Sequence, residues 1–244
     1  MFARVWLIAI LLPAPLAAAE IEPETIVGSV FGEPVKAGDV GLKAPIDTSL
    51  EFDARNEAYW DQTSRIMTAF GRPITERFFA DRKFAASAEE IEAFQEHRLR
   101  TNRNGLREAE EKVRELRDQL EQEGLSEAQR GKLRVERASY ERILLHLRDA
   151  IESPTPPEVA ETVIVHLKKE RELQRAYGGR VIFQQFGPEA VEARKRLFEE
   201  AEKKGDLHFA NAGVRHLFDY YANMRHVESD PAVLEQPWFL GEGD

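Results

Sequence analysis

The chain contains no cysteine. Disulfide scaffolds, thiolate metal centres and cysteine nucleophiles are therefore all excluded. Nor does it contain, past the N-terminus, an apolar run approaching the roughly 20 residues needed to cross a bilayer. Phosphate-binding patterns are missing too: there is no G-x-x-x-x-G-K-[ST], and Gly28, Gly32 and Gly38 do not fall at G-x-G-x-x-G spacing. No serine stands in a G-x-S-x-G elbow or an S-x-x-K pattern, and Ser29 in VGSVFG lies within a strand-like segment, not at a strand-to-helix turn. Of the six histidines none is paired at H-x-x-x-H, and His208, His216 and His226 are spaced too widely to share one helix face. The sequence therefore offers no catalytic residue, no metal ligand set and no cofactor motif.

Cations are the minority charge. Lys and Arg number 34 against 44 Asp and Glu, a net charge of −10. An excess of this sign repels nucleic acid phosphates and anionic head groups, and it keeps a protein soluble.

What is present begins with a secretory pattern. Residues 1–19, MFARVWLIAILLPAPLAAA, carry one cation at Arg4, an apolar run from Val5 to Leu12, prolines at 13 and 15, and an Ala17-Ala18-Ala19 end. This is the plan of a cleaved signal peptide; the apolar run is too short for an anchor. Cleavage is expected after Ala19, with export to the periplasm. It removes one arginine and no acid, leaving 33 cations against 44 acids and a charge of −11. The remaining chain, about 225 residues, is long enough to bury a sizeable core without disulfides.

Residues 25–31 alternate as a short strand, and Gly32-Glu33-Pro34 reads as a turn. Helical signals dominate afterwards. Ser49 suits the cap of a helix over 50–70 closed by Gly71-Arg72-Pro73, and a second helix from about Pro73 carries Phe78, Phe79 and Phe84. Ser87 with Glu90 forms a capping box ahead of Ile91 and Phe94, and TNRNG at 101–105 reads as a break. Residues 106–151 read as an antiparallel charged hairpin. Leu106, Ala109, Val113, Leu116 and Leu120 give one narrow apolar seam, Tyr140, Leu144, Leu147 and Ile151 the other, and Ser126 with Gln129 caps the second arm. The proline-rich 153–157 is an extended linker.

A helix over 158–177 ends at Gly178-Gly179. These glycines stand between helix and strand, the order of a C-cap and not of a phosphate loop. Residues 180–186 (RVIFQQF) read as a strand, Pro188 opens a helix to Lys204, 206–209 forms a short strand, and Asn211 caps a last helix. The expected fold is mainly α with a small β element. Its segments are 1–19 (signal peptide), 20–100 (strand-turn and helical core), 101–157 (hairpin and linker) and 158–244 (helix, strand and helices completing the core).

The stretch VGSVFGEPVKAGDV resembles the opening of the SurA N-terminal-like chaperone domain, a strand followed by an N-G-x-P-I turn and a helix. Gly32, Pro34 and Val35 match that turn, whereas Phe31 stands where asparagine is usual and Lys36 where a capping threonine is usual. FFADRKFAASAEEIEAF is similar to the family's short helix followed by a capped helix, and 158–177 to its C-terminal helix. The resemblance spans 25–100 and 158–186. Nothing in the chain is similar to a parvulin isomerase domain, so prolyl-isomerase activity is not carried over.

The resemblance implies a periplasmic, non-catalytic holding protein whose partners are unfolded or extended exported polypeptides, outer-membrane proteins among them. Phe78, Phe79, Phe84 and Phe94 are the client-binding candidates; ordinary core packing is the other reading of the same four rings. It also pairs the strand 25–31 with 180–186, since a single strand cannot satisfy its own backbone groups. A different class of function, an envelope adaptor that docks partner helices on the hairpin, is compatible with the same sequence.

Overall fold

The computed structural model describes residues 20–49, 52–184, 187–223, 228–237 and 239–240. The expected signal segment and its cleavage site lie outside them. The fold is mainly α with small antiparallel sheets, and among the described residues no helix is long and apolar enough to cross a membrane. Contacts divide the chain into two compact units. One holds the described residues up to Arg77 together with Phe198–Asn223; the other holds those of Phe78–Leu197 and Met224–Asp244.

The first unit opens with a β-hairpin. Strand β1 (Ile26–Val30) pairs with β2 (Glu33–Lys36) through a two-residue turn, Val30 opposite Glu33. Both turn residues have positive φ, Phe31 at 53° and Gly32 at 83°. That is the signature of the turn whose twist suits a tight hairpin. Gly32 is thus in the turn, whereas Pro34 lies in β2 opposite Ser29. A proline without an N–H is tolerated there because β2 is a sheet edge. A register shift between Ile26 and Gly28 breaks the simple alternation, so Val27 and Val30 are both buried and Ile26 is exposed.

The expected pairing of 25–31 with 180–186 does not occur. The other edge of β1 is taken by β5 (Leu207–Phe209), with Gly28 opposite Phe209 and Val30 opposite Leu207. Strand β3 (Val181–Gln184) pairs instead with β4 (Gly187–Glu189) and β6 (Glu228–Ser229). The hairpin turn supplies β1 with a local partner, and short β5 completes the sheet, so no backbone groups of β1 are left for β3.

Helix α1 (Phe52–Ile66) does not stop at Gly71-Arg72-Pro73. It passes through a π turn (Met67–Gly71), closed by the Arg72 amide on the Met67 carbonyl, into α2 (Arg72–Phe79). A proline inside a helix clashes with the carbonyl four residues back, and the wider π turn relieves that crowding. Helices α6 (Val191–Lys204) and α7 (Ala212–Asn223) bring Phe198 and Phe218 to Phe70 and Phe209, in an aromatic core with ring centroids 4.7 to 6.4 Å apart. Asn211 caps α7 by accepting from the Val214 amide at 3.0 Å. Pro188 sits in edge strand β4 and not at a helix start; α6 begins only at Val191.

The second unit is built on α3 (Ala88–Glu121), α4 (Glu127–Glu152) and α5 (Pro157–Tyr177). Both capping boxes form, Ser87 with Glu90 and Ser126 with Gln129. The break expected at 101–105 is absent, and α3 runs through it. One interior glycine costs about 1 kcal/mol of helix propensity, and the packing of α3 on α4 outweighs that. The two arms cover each other's seams, with Ala109, Val113 and Leu144 buried among Leu106, Tyr140 and Leu147. At the C-terminus of α5, Gly178 and Gly179 take φ of 64° and 100°. The Glu192 carboxylate accepts from the Arg180 amide at 2.8 Å just beyond them.

Candidate functional site

Phe78 and Phe79 end α2, and the next residues 82–87 run without regular structure to the Ser87 cap of α3. Phe84 lies on that segment. Its ring meets Phe79 edge-on at 5.4 Å, Phe79 meets Phe78 at 5.0 Å, and Phe78 meets Tyr177 of α5 at 5.8 Å. Tilted and edge-to-face contacts of this kind contribute about 0.5–1.5 kcal/mol each beyond area burial. The four rings form a continuous row, and every one is half-buried.

Two cations lie against the row. The Arg82 guanidinium is 4.3 Å from the centroid of Phe78, and the Lys169 ammonium 5.7 Å from that of Phe79. Arg82 also donates to the Phe78 carbonyl and lies 3.8 Å from Glu172. Lys168 fixes the 82–87 segment to α5 by donating to the Ala85 carbonyl and the Glu90 carboxylate, each at 2.7 Å. Burial pushes the Glu90 carboxyl up, but the hydrogen bonds from Lys168 and from the Ser87 amide outweigh it and hold the group below the usual carboxylate range. The row is therefore mounted on a charge-anchored frame.

Phe94 does not join it. That ring is 5% exposed and packs with Ala160, Ile164, Leu167 and Phe239 between α3 and α5. Three of the four client-binding candidates thus come together as a half-buried row, and the fourth is core. Gly32 and Pro34 serve the β1–β2 hairpin in the other unit.

Sequence reasoning did not find Tyr177, Arg82 or Lys169, because ring–ring and cation–ring contacts between a loop and a distant helix leave no spacing signal. It also passed over a buried ionic cluster. Glu170 of α5, 3% exposed, accepts from Arg194 and from the Ala190 amide at 2.8 Å, and Arg194 reaches Glu189 at 3.3 Å. His166 stands one turn before Glu170, with Nδ1 4.0 Å from its carboxylate. One arginine serving two buried carboxylates ties α5 to β4 and the start of α6, a role in the framework of this unit.

Among the described residues no group of three or more His, Asp or Glu is placed to hold a metal ion. The row offers ring faces and two cations, which suit apolar and cation–π contact with a flexible chain. No family model matches this chain, and neither a curated protein nor a solved structure matches it.

Proposed function

We propose that this protein is a periplasmic, SurA-like holding chaperone that binds unfolded exported polypeptides along the Phe78–Phe79–Phe84 row, without prolyl-isomerase activity. The observation that carries the reading is the incomplete burial of three neighbouring rings, Phe78 and Phe79 at the end of α2 and Phe84 on the anchored segment that follows. Phenylalanine is among the residues most often fully buried, and partly accessible rings brought together offer apolar surface for contact. Burying apolar surface contributes about 25 cal/mol per Å². A few half-open rings therefore give weak, reversible contact with any apolar segment, which is what holding requires. The excess of acids keeps the loaded protein from associating with itself. The strand-turn resemblance and the secretory pattern of residues 1–19 support the compartment.

An unfolded outer-membrane protein diluted from denaturant, with and without an excess of the purified protein, tests this through light scattering. Delayed aggregation, reduced by Phe79→Ser and Phe84→Ser while both variants stay folded at the assay temperature, is the expected result. A protein that leaves the aggregation unchanged contradicts the reading.

A further inference from the structure

The root of the helical hairpin carries a second surface, distinct from the aromatic row. Residues 96–107 read EHRLRTNRNGLR, four arginines against one glutamate in a chain whose net charge is −10. Within α3, Arg100, Arg103 and Arg107 recur at spacings of three and four and so leave the helix on one face. All three are exposed, and among the described residues neither they nor Arg98 form an ion pair. Arg107 donates to Asn104 at 2.6 Å, and Arg100 lies 3.4 Å from His97 Nδ1. The local field is positive: the His97 imidazole is held below its ordinary range by burial first, then by the charges of Arg100 and Arg98.

The same three arginines line a hollow of about 740 Å³. Half-buried Leu99 and Leu106 form one side of it, and Glu96 is the single carboxylate on its described lining. The leucines are seven residues apart, roughly 10.5 Å along the axis at about 1.5 Å per residue. The three arginines leave α3 on the side opposite Ala109, Leu116 and Phe94, whereas Leu106 borders the seam, where it packs against Ala109, Val113 and Leu144.

We propose that this face of α3 docks an acidic amphipathic helix of a partner protein. Its carboxylates meet Arg100, Arg103 and Arg107, and its apolar edge lies against Leu99 and Leu106. Three arginines without carboxylate partners, in an acid-rich chain, are complementary to carboxylates from outside, and the planar guanidinium fork suits them. The spacing selects a helix. Steps of three and four residues place the guanidinium bases about 4.5 and 6 Å apart along the axis, matched by acids at the same steps on a second helix. An extended strand presents one face only every two residues, about 6.6 Å. Leu99 and the part of Leu106 that the α3–α4 seam leaves open give the apolar edge beside the charges. An anionic bilayer fits less well, because its plane meets the acidic molecule as a whole, whereas a single helix senses only charges within a Debye length of about 8 Å. This site is independent of the holding reading and stands or falls separately from it.

The test uses the purified full chain and a labelled synthetic helix with glutamates at alternating three- and four-residue steps beside leucines, followed by fluorescence anisotropy. Binding that weakens at high salt and falls at least tenfold in Arg100→Glu/Arg103→Glu, with the melting temperature kept, is expected. The same peptide with lysines in place of glutamates then binds the charge-reversed variant better than it binds the unaltered chain. Equal binding of the acidic peptide to both proteins overturns the proposal. So does absence of binding, and so does binding of phosphatidylglycerol vesicles in its place.

Discussion

Gly28 of β1 stands opposite Phe209 of β5, and the Phe70 ring fills the space that a side chain at 28 would need. A Cβ there falls 2.7 Å from Phe70 Cε1 and overlaps the His208 carbonyl. Gly28→Ala is expected to destabilise the unit containing β1 by about 3 kcal/mol or more, because neither the backbone nor a core ring can yield cheaply. Gly105→Ala is the control. Its Cβ meets only Leu147 methyls at 3.6 and 3.8 Å inside α3, so it should stabilise by about 0.5–1 kcal/mol. Denaturant titrations of the two variants give both signs.

Phe31 occupies the left-handed region at φ 53°, with the Arg77 guanidinium 5.5 Å from its ring centroid. A non-glycine residue pays about 1–2 kcal/mol for that conformation, and asparagine pays least. An exposed cation–π contact returns about 0.5–1 kcal/mol. Phe31→Asn restores the Asn-Gly pair that such turns favour and should raise the melting temperature by a few degrees. Phe31→Ala, which loses the ring contact and keeps the strain, should lower it.

The Glu90 carboxyl is held below its ordinary range, so its contribution to stability is present above the unfolded value of about 4.3 and is lost as pH falls through the lower folded value. Glu90→Gln removes the charge opposite Lys168 and leaves a side chain that can still accept from the Ser87 amide. At neutral pH it should cost about 1 kcal/mol. The gap between variant and parent should close as the pH drops below about 4. Thermal melts from neutral to acidic pH measure it, and a gap that widens on acidification contradicts the assignment.

Arg194→Met leaves the Glu170 and Glu189 carboxylates buried without their shared cation. Breaking a buried pair by removing one partner costs about 3–5 kcal/mol. Urea titration should show that loss, larger than for Arg72→Met, whose partner Glu76 is exposed.

Much of the helical frame is legible from residues alone. Ser87, Ser126 and Asn211 announce helix starts because their side chains accept from backbone amides one turn on, and the Leu–Val–Leu seams announce the hairpin. Strand partners are less legible. Leu207–Phe209 is too short to carry an alternation, and nothing local to β1 says that it pairs there and not with the longer strand-like run near residue 182. The π turn and the unbroken α3 show the converse: Pro73 and Gly105 are local breakers that packing overrides. At the candidate site, the sequence marked the phenylalanines but could not sort them. Phe94 is core because α5 and Phe239 close over it, and Phe78, Phe79 and Phe84 stay half-open because the 82–87 segment only borders α5.

The central claim is that the Phe78–Phe79–Phe84 row is where a client chain touches this protein. Photo-crosslinking residues placed singly at 79, 84 and 94, each in the folded full chain with an unfolded outer-membrane protein present, measure that contact directly. Crosslinks to the client from positions 79 and 84, with none from the buried position 94, are the result this account predicts. Client crosslinks absent from both row positions, while the substituted proteins keep their melting temperatures, would contradict it.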